Sequence, residues 1–478
     1  MFTPTPERSR PKRAPKRTIA YTIPLPNIHS QDGQTLHQPQ GHVLGVNALA
    51  LSLDANGSDI EGAETATGGL LFSGGRDGVV KAWNLNFPLK RSWKSTARHS
   101  RPQTALRASR TMHSNWVNDI VLLNGSKTVV SASSDLTVRA WAPHCPDERP
   151  YTIGSHMDYV KALAYSEHRQ MVISGGLDRK IKLWDVGEGR HSSGPICALQ
   201  EFGDASVSSS VYTLACNTQG TLVVSGSPEK FIRIWDTRAG RQLTTLSGHT
   251  DHIRAVLLSA DSELVLSGSS DTTVKLWSMR MRRCLSTYSH HTDSVWSLYT
   301  SHPRFQTFYS ASRDGLVAKT VGAGMHADEW MSTNPGVVCV AVAKEPQGVV
   351  KLVAADDAYI WTATKGTGLN RWLDVSIRAH HESRQCGVSS TSHQPYSMQA
   401  QPRLNSTASA LQNKGAGDRS AADAVNYAAE NREVVPVRSK PDETIQGQHG
   451  LHRHKILPNK RQVLAQDTQG RVSLWDIM

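Results

Sequence analysis

Cysteine is scarce. The six in this 478-residue chain (Cys145, Cys197, Cys216, Cys284, Cys339 and Cys386) lie far apart and form no C-x-x-C pair. That spacing excludes a disulfide-stapled scaffold and a zinc ribbon, and a reducing, intracellular setting is expected. No apolar run approaches the ~18 residues of a membrane-crossing helix, so a soluble chain without a membrane partner is expected. The opening MFTPTPERSRPKRAPKR is basic and proline-rich without an apolar stretch, and a secretory leader is not expected. No G-x-x-x-x-G-K-[ST] segment and no strand followed by G-x-G-x-x-G occurs, so no nucleotide loop is indicated. The pairs His249/His252, His290/His291 and His452/His454 lack a structural-zinc array around them. Neither a metal, a cofactor nor a small-molecule substrate is expected.

Hydrophobic residues make up 38% of the chain, enough for a large core. The net charge of +12 is localised: residues 1 to 17 carry +5 and residues 85 to 112 carry +7. The remainder is balanced, which argues against a basic groove for nucleic acid within the fold. Either segment could touch nucleic acid or act as a nuclear import signal.

Self-similarity is the strongest signal. The segments MHSNWVNDIVLLNGSKTVVSASSDLTVRAW, SHMDYVKALAYSEHRQMVISGGLDRKIKLW and GHTDHIRAVLLSADSELVLSGSSDTTVKLW superpose without a gap. Each places Ser 18 residues after His, Asp 4 later and Trp 6 later. The sets are His113, Ser131, Asp135, Trp141; His156, Ser174, Asp178, Trp184; and His249, Ser267, Asp271, Trp277. A further copy has His291, Ser310 and Asp314 with Thr320 in place of Trp; another keeps Ser225, Glu229 and Trp235. The first keeps Ser73, Asp77 and Trp83, with a longer stretch back to Gly41-His42. Short alternating runs such as TVRAW and TVKLW, punctuated by Gly, Ser, Asp and Asn, predict antiparallel strands and tight turns.

This pattern resembles the WD-repeat family, with Trp-Asp dipeptides at Trp184-Asp185, Trp235-Asp236 and Trp475-Asp476. Two weaker copies, VVCVAVA through Trp372 and KILPNKRQVLAQDTQGRVSLWDIM, raise the count to eight. The expected fold is all-β: an eight-bladed WD-repeat β-propeller over 18–478, after a disordered basic tail at 1–17. Inserts at about 88–112 and 376–445 are expected to be disordered. Without tail and inserts, about 46 residues remain per blade, close to the family period. Arg17 to Pro24 is expected to close the ring as the outer strand of the last blade.

Recurring Ser, His and Asp invite a hydrolase reading. Repetition argues against it, because an active site is needed once and a Trp-Ser-His-Asp brace is needed in every blade. No enzyme is expected. Function should instead lie at positions that vary within the frame. Counting three and five past each His gives Trp116 and Asn118, Tyr159 and Lys161, His252 and Arg254, and Ser294 and Trp296. The residues before the turn Asp are Arg76, Ser134, Leu177, Ser270 and Arg313. In a propeller these cluster on one rim, and aromatic and arginine side chains dominate protein interfaces.

The strings GVNAL, WVNDIVL, SASSD, DYVKALAY, GLDRKIKLWDV and LSGSSD resemble the WD repeat-containing protein 48 family from AYTIP to LWDIM, outside the two inserts. The resemblance implies a scaffold that binds and activates ubiquitin-specific proteases, acting on DNA-repair and other ubiquitinated substrates in nucleus and cytoplasm. It implies a protease grip by Arg254, Trp296 and Arg313, with Arg254 standing where the family usually has Lys. Trp116, Tyr159, Lys161 and Arg76 are further rim candidates. That family also carries an ancillary region and a ubiquitin-like domain, neither of which lies in these residues. Trp235-Asp236-Thr237-Arg238 fits the short W-D-x-R signature of cullin-RING ligase receptors, a rival reading beside a chromatin or nucleic-acid scaffold.

Overall fold

The computed structural model describes residues 23–24, 41–53, 69–85, 104–145, 148–187, 197–200, 210–322, 337–355, 358–375, 398–399, 434–448, 450–458, 462–467 and 470–476. Among them every regular element is a β-strand, and the strands form eight antiparallel sheets. The predicted tail and the greater part of both inserts lie outside the described residues.

Consecutive hairpins build each sheet. The first comprises Val46–Ser52, Leu70–Gly75, Val79–Leu85 and Thr104–Thr111. The next four begin at Val117–Leu123, Val160–Ser166, Thr213–Cys216 and Ile253–Leu258. The sixth begins at Val295–Tyr299 and gains a fifth strand, Met398–Gln399; the seventh begins at Val349–Ala355. Second strands such as LLFSGG and LVLSGS are buried at every position. Sheets stacked on both faces require this, and it explains the continuous apolar runs. Where the next sheet's first strand crosses, the second strand has glycine: a Cβ at Gly74 would meet Val117 Cγ1 at 2.6 Å, and one at Gly268 would meet Val295 Cγ1 at 2.8 Å.

The first strands pack on one another in order from the first sheet to the seventh, and Val349–Ala355 of the seventh packs back onto Val46–Ser52 of the first. Seven apolar clusters fill the seven interfaces. At the closing interface, Trp83, Leu71 and Leu85 pack with Val353, Trp361 and Leu369. Four-stranded sheets stacked in this cyclic order are consistent with a β-propeller.

The expected eighth blade does not enter the ring. Its sheet, Ile23–Pro24, Gly450–Ile456, Gln462–Asp467 and Val472–Asp476, stands outside the cycle of packed first strands, and none of its described side chains joins the seven clusters. Arg453, His454 and Lys455 are exposed, as are Val472 and Leu474. Wedging such a sheet between the first and seventh would bury charge without partners and uncover the Trp83–Trp361 contact. The N-terminal strand is also placed differently from expectation. Ile23 and Pro24 pair with Leu451 and Gly450 of that sheet's first strand, at the edge opposite the one predicted.

Both insert boundaries need correction. Thr104–Thr111, within the first expected insert, is the outer strand of the first sheet, its residues alternating between half-buried and exposed beside Val79–Leu85. Glu443–Ile445, at the end of the second, is the outer strand of the seventh sheet, anchored by Arg371 paired with Asp442 and Glu443 at 2.6 and 2.7 Å.

Candidate interaction site

The repeated polar residues form internal braces. In the fifth sheet His249 Nδ1 lies 2.8 Å from Asp271 Oδ2, and His249 Nε2 lies 2.7 Å from Ser267 Oγ, which accepts the Trp277 indole N–H at 2.8 Å. A carboxylate only accepts, so Nδ1 carries the proton and Nε2 accepts from the serine hydroxyl. His156, Asp178, Ser174 and Trp184 repeat the arrangement. His42, Asp77, Ser73 and Trp83 complete it in the first sheet despite the longer spacing. The serines are fully buried, so none can reach a substrate.

The second sheet departs from the pattern. His113 reaches Ser131 at 2.7 Å and Asp135 at 2.9 Å, but Trp141 Nε1 has no hydrogen-bond partner among the described residues, so Trp141 is a packing residue and not a fourth member of the brace. In the fourth sheet Trp235 still donates to Ser225, while Glu229 pairs with Arg233. In the sixth both His290 and His291 reach Ser310, at 2.9 and 2.8 Å. The seventh, without a histidine, has Trp372 donating to Thr362 and to the buried carboxylate of Glu345.

Burial alone would raise the Asp271 carboxyl, but hydrogen bonds from His249, Thr273 and the Thr250 backbone hold it far below the usual carboxylate range. Asp135, Asp178 and Asp77 are held low in the same way. Burial pushes the Cys216 thiol up to about 12 and Cys339 to about 11, which makes both inert at neutral pH.

The varying positions meet around the ring axis. A cavity of about 460 Å³ is lined by first-strand residues of all seven ring sheets, among them Asn47, Asn118, Lys161, Thr213, Arg254 and Trp296, with Lys351 from the seventh. Arg76 and Trp116 complete one side, their guanidinium and ring 4.8 Å apart. Of the predicted residues, Arg254, Trp296, Arg76, Trp116 and Lys161 are therefore brought together. Tyr159 stands beside them with Lys161 Nζ 5.9 Å from its ring. Arg313 does not line the cavity. It is exposed, 3.7 Å from Asp293 Oδ2, and its backbone N–H donates to Ser294, two residues before Trp296.

Trp116 and Tyr159 are each 40% exposed, too open for rings that only fill gaps between sheets. Strand register explains the convergence, since the fifth residue past each His and the residue before the turn Asp face one another. Arg254 Nε donates to Ser270 Oγ at 3.1 Å and Asn118 Nδ2 to Ser134 Oγ at 2.9 Å. Arg76 Nε donates to Asn47 Oδ1 at 2.9 Å by the same rule.

Sequence reasoning missed Asn47, Tyr212, Lys351 and Lys365. Asn47 is five past His42 and was within reach of the same count. Tyr212, under Arg254 at 5.2 Å, and Lys365, over Trp296 at 5.0 Å, come from sheets whose repeats have no histidine to count from.

The WD domain, G-beta repeat family model matches residues 106–142, 148–185, 197–236, 240–278 and 282–318. These five repeats indicate a WD-repeat protein. Each match opens at the fourth strand of one sheet and closes on the third strand of the next, so every repeat ties two neighbouring sheets together. WD-repeat proteins are generally non-catalytic scaffolds for protein partners, in keeping with serines locked into braces.

Proposed function

We propose that this chain is a non-catalytic scaffold that binds a ubiquitin-specific protease on one end of its ring and raises that protease's activity, in nucleus and cytoplasm. The observation that carries the reading is the placement of Arg254 and Trp296 on one cavity mouth, with Arg313 two residues along the rim across the Val295–Ser312 pairing. Arginine and tryptophan in this setting are the anchors protein interfaces favour. Arg254 keeps the charge of the lysine usual in the resembled family and adds a planar fork that can pair bidentately with a carboxylate.

A scaffold without catalytic groups activates a partner only by binding its active conformation more tightly than its inactive one. The test is turnover of ubiquitin-rhodamine by purified ubiquitin-specific proteases with and without the chain. A rise in kcat for at least one, abolished by Arg254→Glu together with Trp296→Ala, is expected. Unchanged turnover across the panel, or recovery of a cullin-RING adaptor instead of a protease from cell extract, would overturn the reading.

A further inference from the structure

Three cations converge on the axial cavity from alternate sheets: Arg76 from the first, Lys161 from the third and Arg254 from the fifth. Each is held by neutral groups. Arg76 is tied to Asn47 and stacked on Trp116; Lys161 Nζ reaches Asn118 Oδ1 at 3.4 Å; Arg254 is tied to Ser270 and stacked on Tyr212. Among the described residues none of the three forms an ion pair. Among the described residues the single carboxylate lining the cavity, Asp119, is already engaged: it accepts from Lys351 Nζ at 3.1 Å and from the Leu163 backbone N–H at 3.0 Å.

This arrangement is costly when empty. Burial lowers both the Arg76 and the Lys161 pKa, and Lys161 is lowered further by the charges of Arg254 and Arg76, with Asp158 offsetting part of this. Like charges partly withdrawn from water, without an internal counter-ion, are stabilised by an anion from outside.

We propose that the axial cavity is a binding site for a phosphate monoester, carried on a phosphorylated peptide or on a soluble polyphosphate. Two guanidinium forks and an ammonium approaching from three sides match the charge and the several acceptor oxygens of a dianion better than those of a single carboxylate. The exposed Trp116 and Tyr159 rings at the mouth offer stacking surface to the atoms flanking the phosphate. The site shares Arg254 and Trp296 with the proposed protease grip, but it is measured on the chain alone, without any protease, so the two readings fail separately.

The experiment uses the full chain labelled with 5-fluorotryptophan, following the Trp116 and Trp296 resonances assigned by single Trp→Phe variants. The probes are a short alanine-based peptide with one phosphoserine, its unphosphorylated twin, inositol hexakisphosphate and an oligothymidylate. Saturable shifts of both resonances with the phosphopeptide, and none with its twin, are expected. Saturation by inositol hexakisphosphate alone would assign the source to a soluble polyphosphate. Arg76→Gln and Lys161→Met should each weaken binding about tenfold or more, while Arg282→Gln, in the turn at the opposite end of the fifth sheet, should not. The proposal is overturned by the absence of saturable shifts with both phosphate probes. Undiminished binding in either folded cavity variant, or tighter binding of the oligothymidylate than of both monoester probes, would overturn it equally.

Discussion

The indole N–H of Trp277 donates to Ser267 Oγ at 2.8 Å, joining the third strand of the fifth sheet to the second, whereas its counterpart Trp141 leaves the same N–H without a partner among the described residues. Both rings are almost completely buried, so they differ in polar satisfaction and not in packing. Trp277→Phe should therefore destabilise the fold by about 1 kcal/mol more than Trp141→Phe, the worth of one buried hydrogen bond. Equal denaturant midpoints for the two variants would contradict this.

Asp271 carries the same network one step outward, accepting from His249, Thr273 and the Thr250 backbone. Removing it leaves the buried imidazole of His249 without its acceptor. Asp271→Ala is expected to cost about 1–3 kcal/mol and to lower Tm, read by calorimetry.

Acid should unfold the protein through these aspartates. Asp77, Asp135, Asp178, Asp271 and Asp314 are all held below the ordinary value of 3.8. A depressed folded-state carboxyl contributes stability that is complete above the unfolded value and is lost as pH falls toward the folded one. His290, buried beside His291, is pushed well below 6.5 by burial and by its neighbour's charge. The unfolded chain then takes up a proton that the folded chain refuses, so stability also falls below about pH 6.5. A His290→Phe variant should show a flatter stability profile between pH 5 and 6.5 than the parent, with the loss below pH 4 retained.

Lys319 and Asp374 form a buried pair at 2.8 Å between the sixth and seventh sheets, joined by Tyr309 Oη at 2.7 Å from the same carboxylate oxygen. Lys319→Met removes the counter-charge of a buried carboxylate and should cost about 3 kcal/mol or more, with Lys319→Met/Asp374→Leu recovering part of the loss. Chemical denaturation of both variants decides it.

For protease binding, Trp296→Ala should weaken the complex by about 2 kcal/mol or more, because aromatic anchors dominate such interfaces. The thermal midpoint should stay within about 2 °C of the parent, because the ring is only half-buried. Calorimetric titration against an activated protease measures the first and a thermal scan the second.

The spacing of His, Ser, Asp and Trp was enough to place the strands, the turns and two complete braces, at His156 and His249, because each depends on residues within one hairpin or two; the same spacing also named Trp141, which stays outside the His113 brace. The rim positions were legible for the same reason, since their register follows from the alternation of strand side chains. Their clustering on one rim was expected from the repeat, but the axial cavity they line could not be read from spacing, and neither could the roles of Tyr212, Lys351 and Lys365. The number of sheets in the cycle was likewise decided only in three dimensions. Trp83 finds its apolar neighbours in the seventh sheet, and the strand at 450–456 is too charged to be enclosed on both faces, so closure occurs one sheet earlier than the repeat count implied. Local pattern specifies hairpins, but the circumference is a property of how all their faces pack at once.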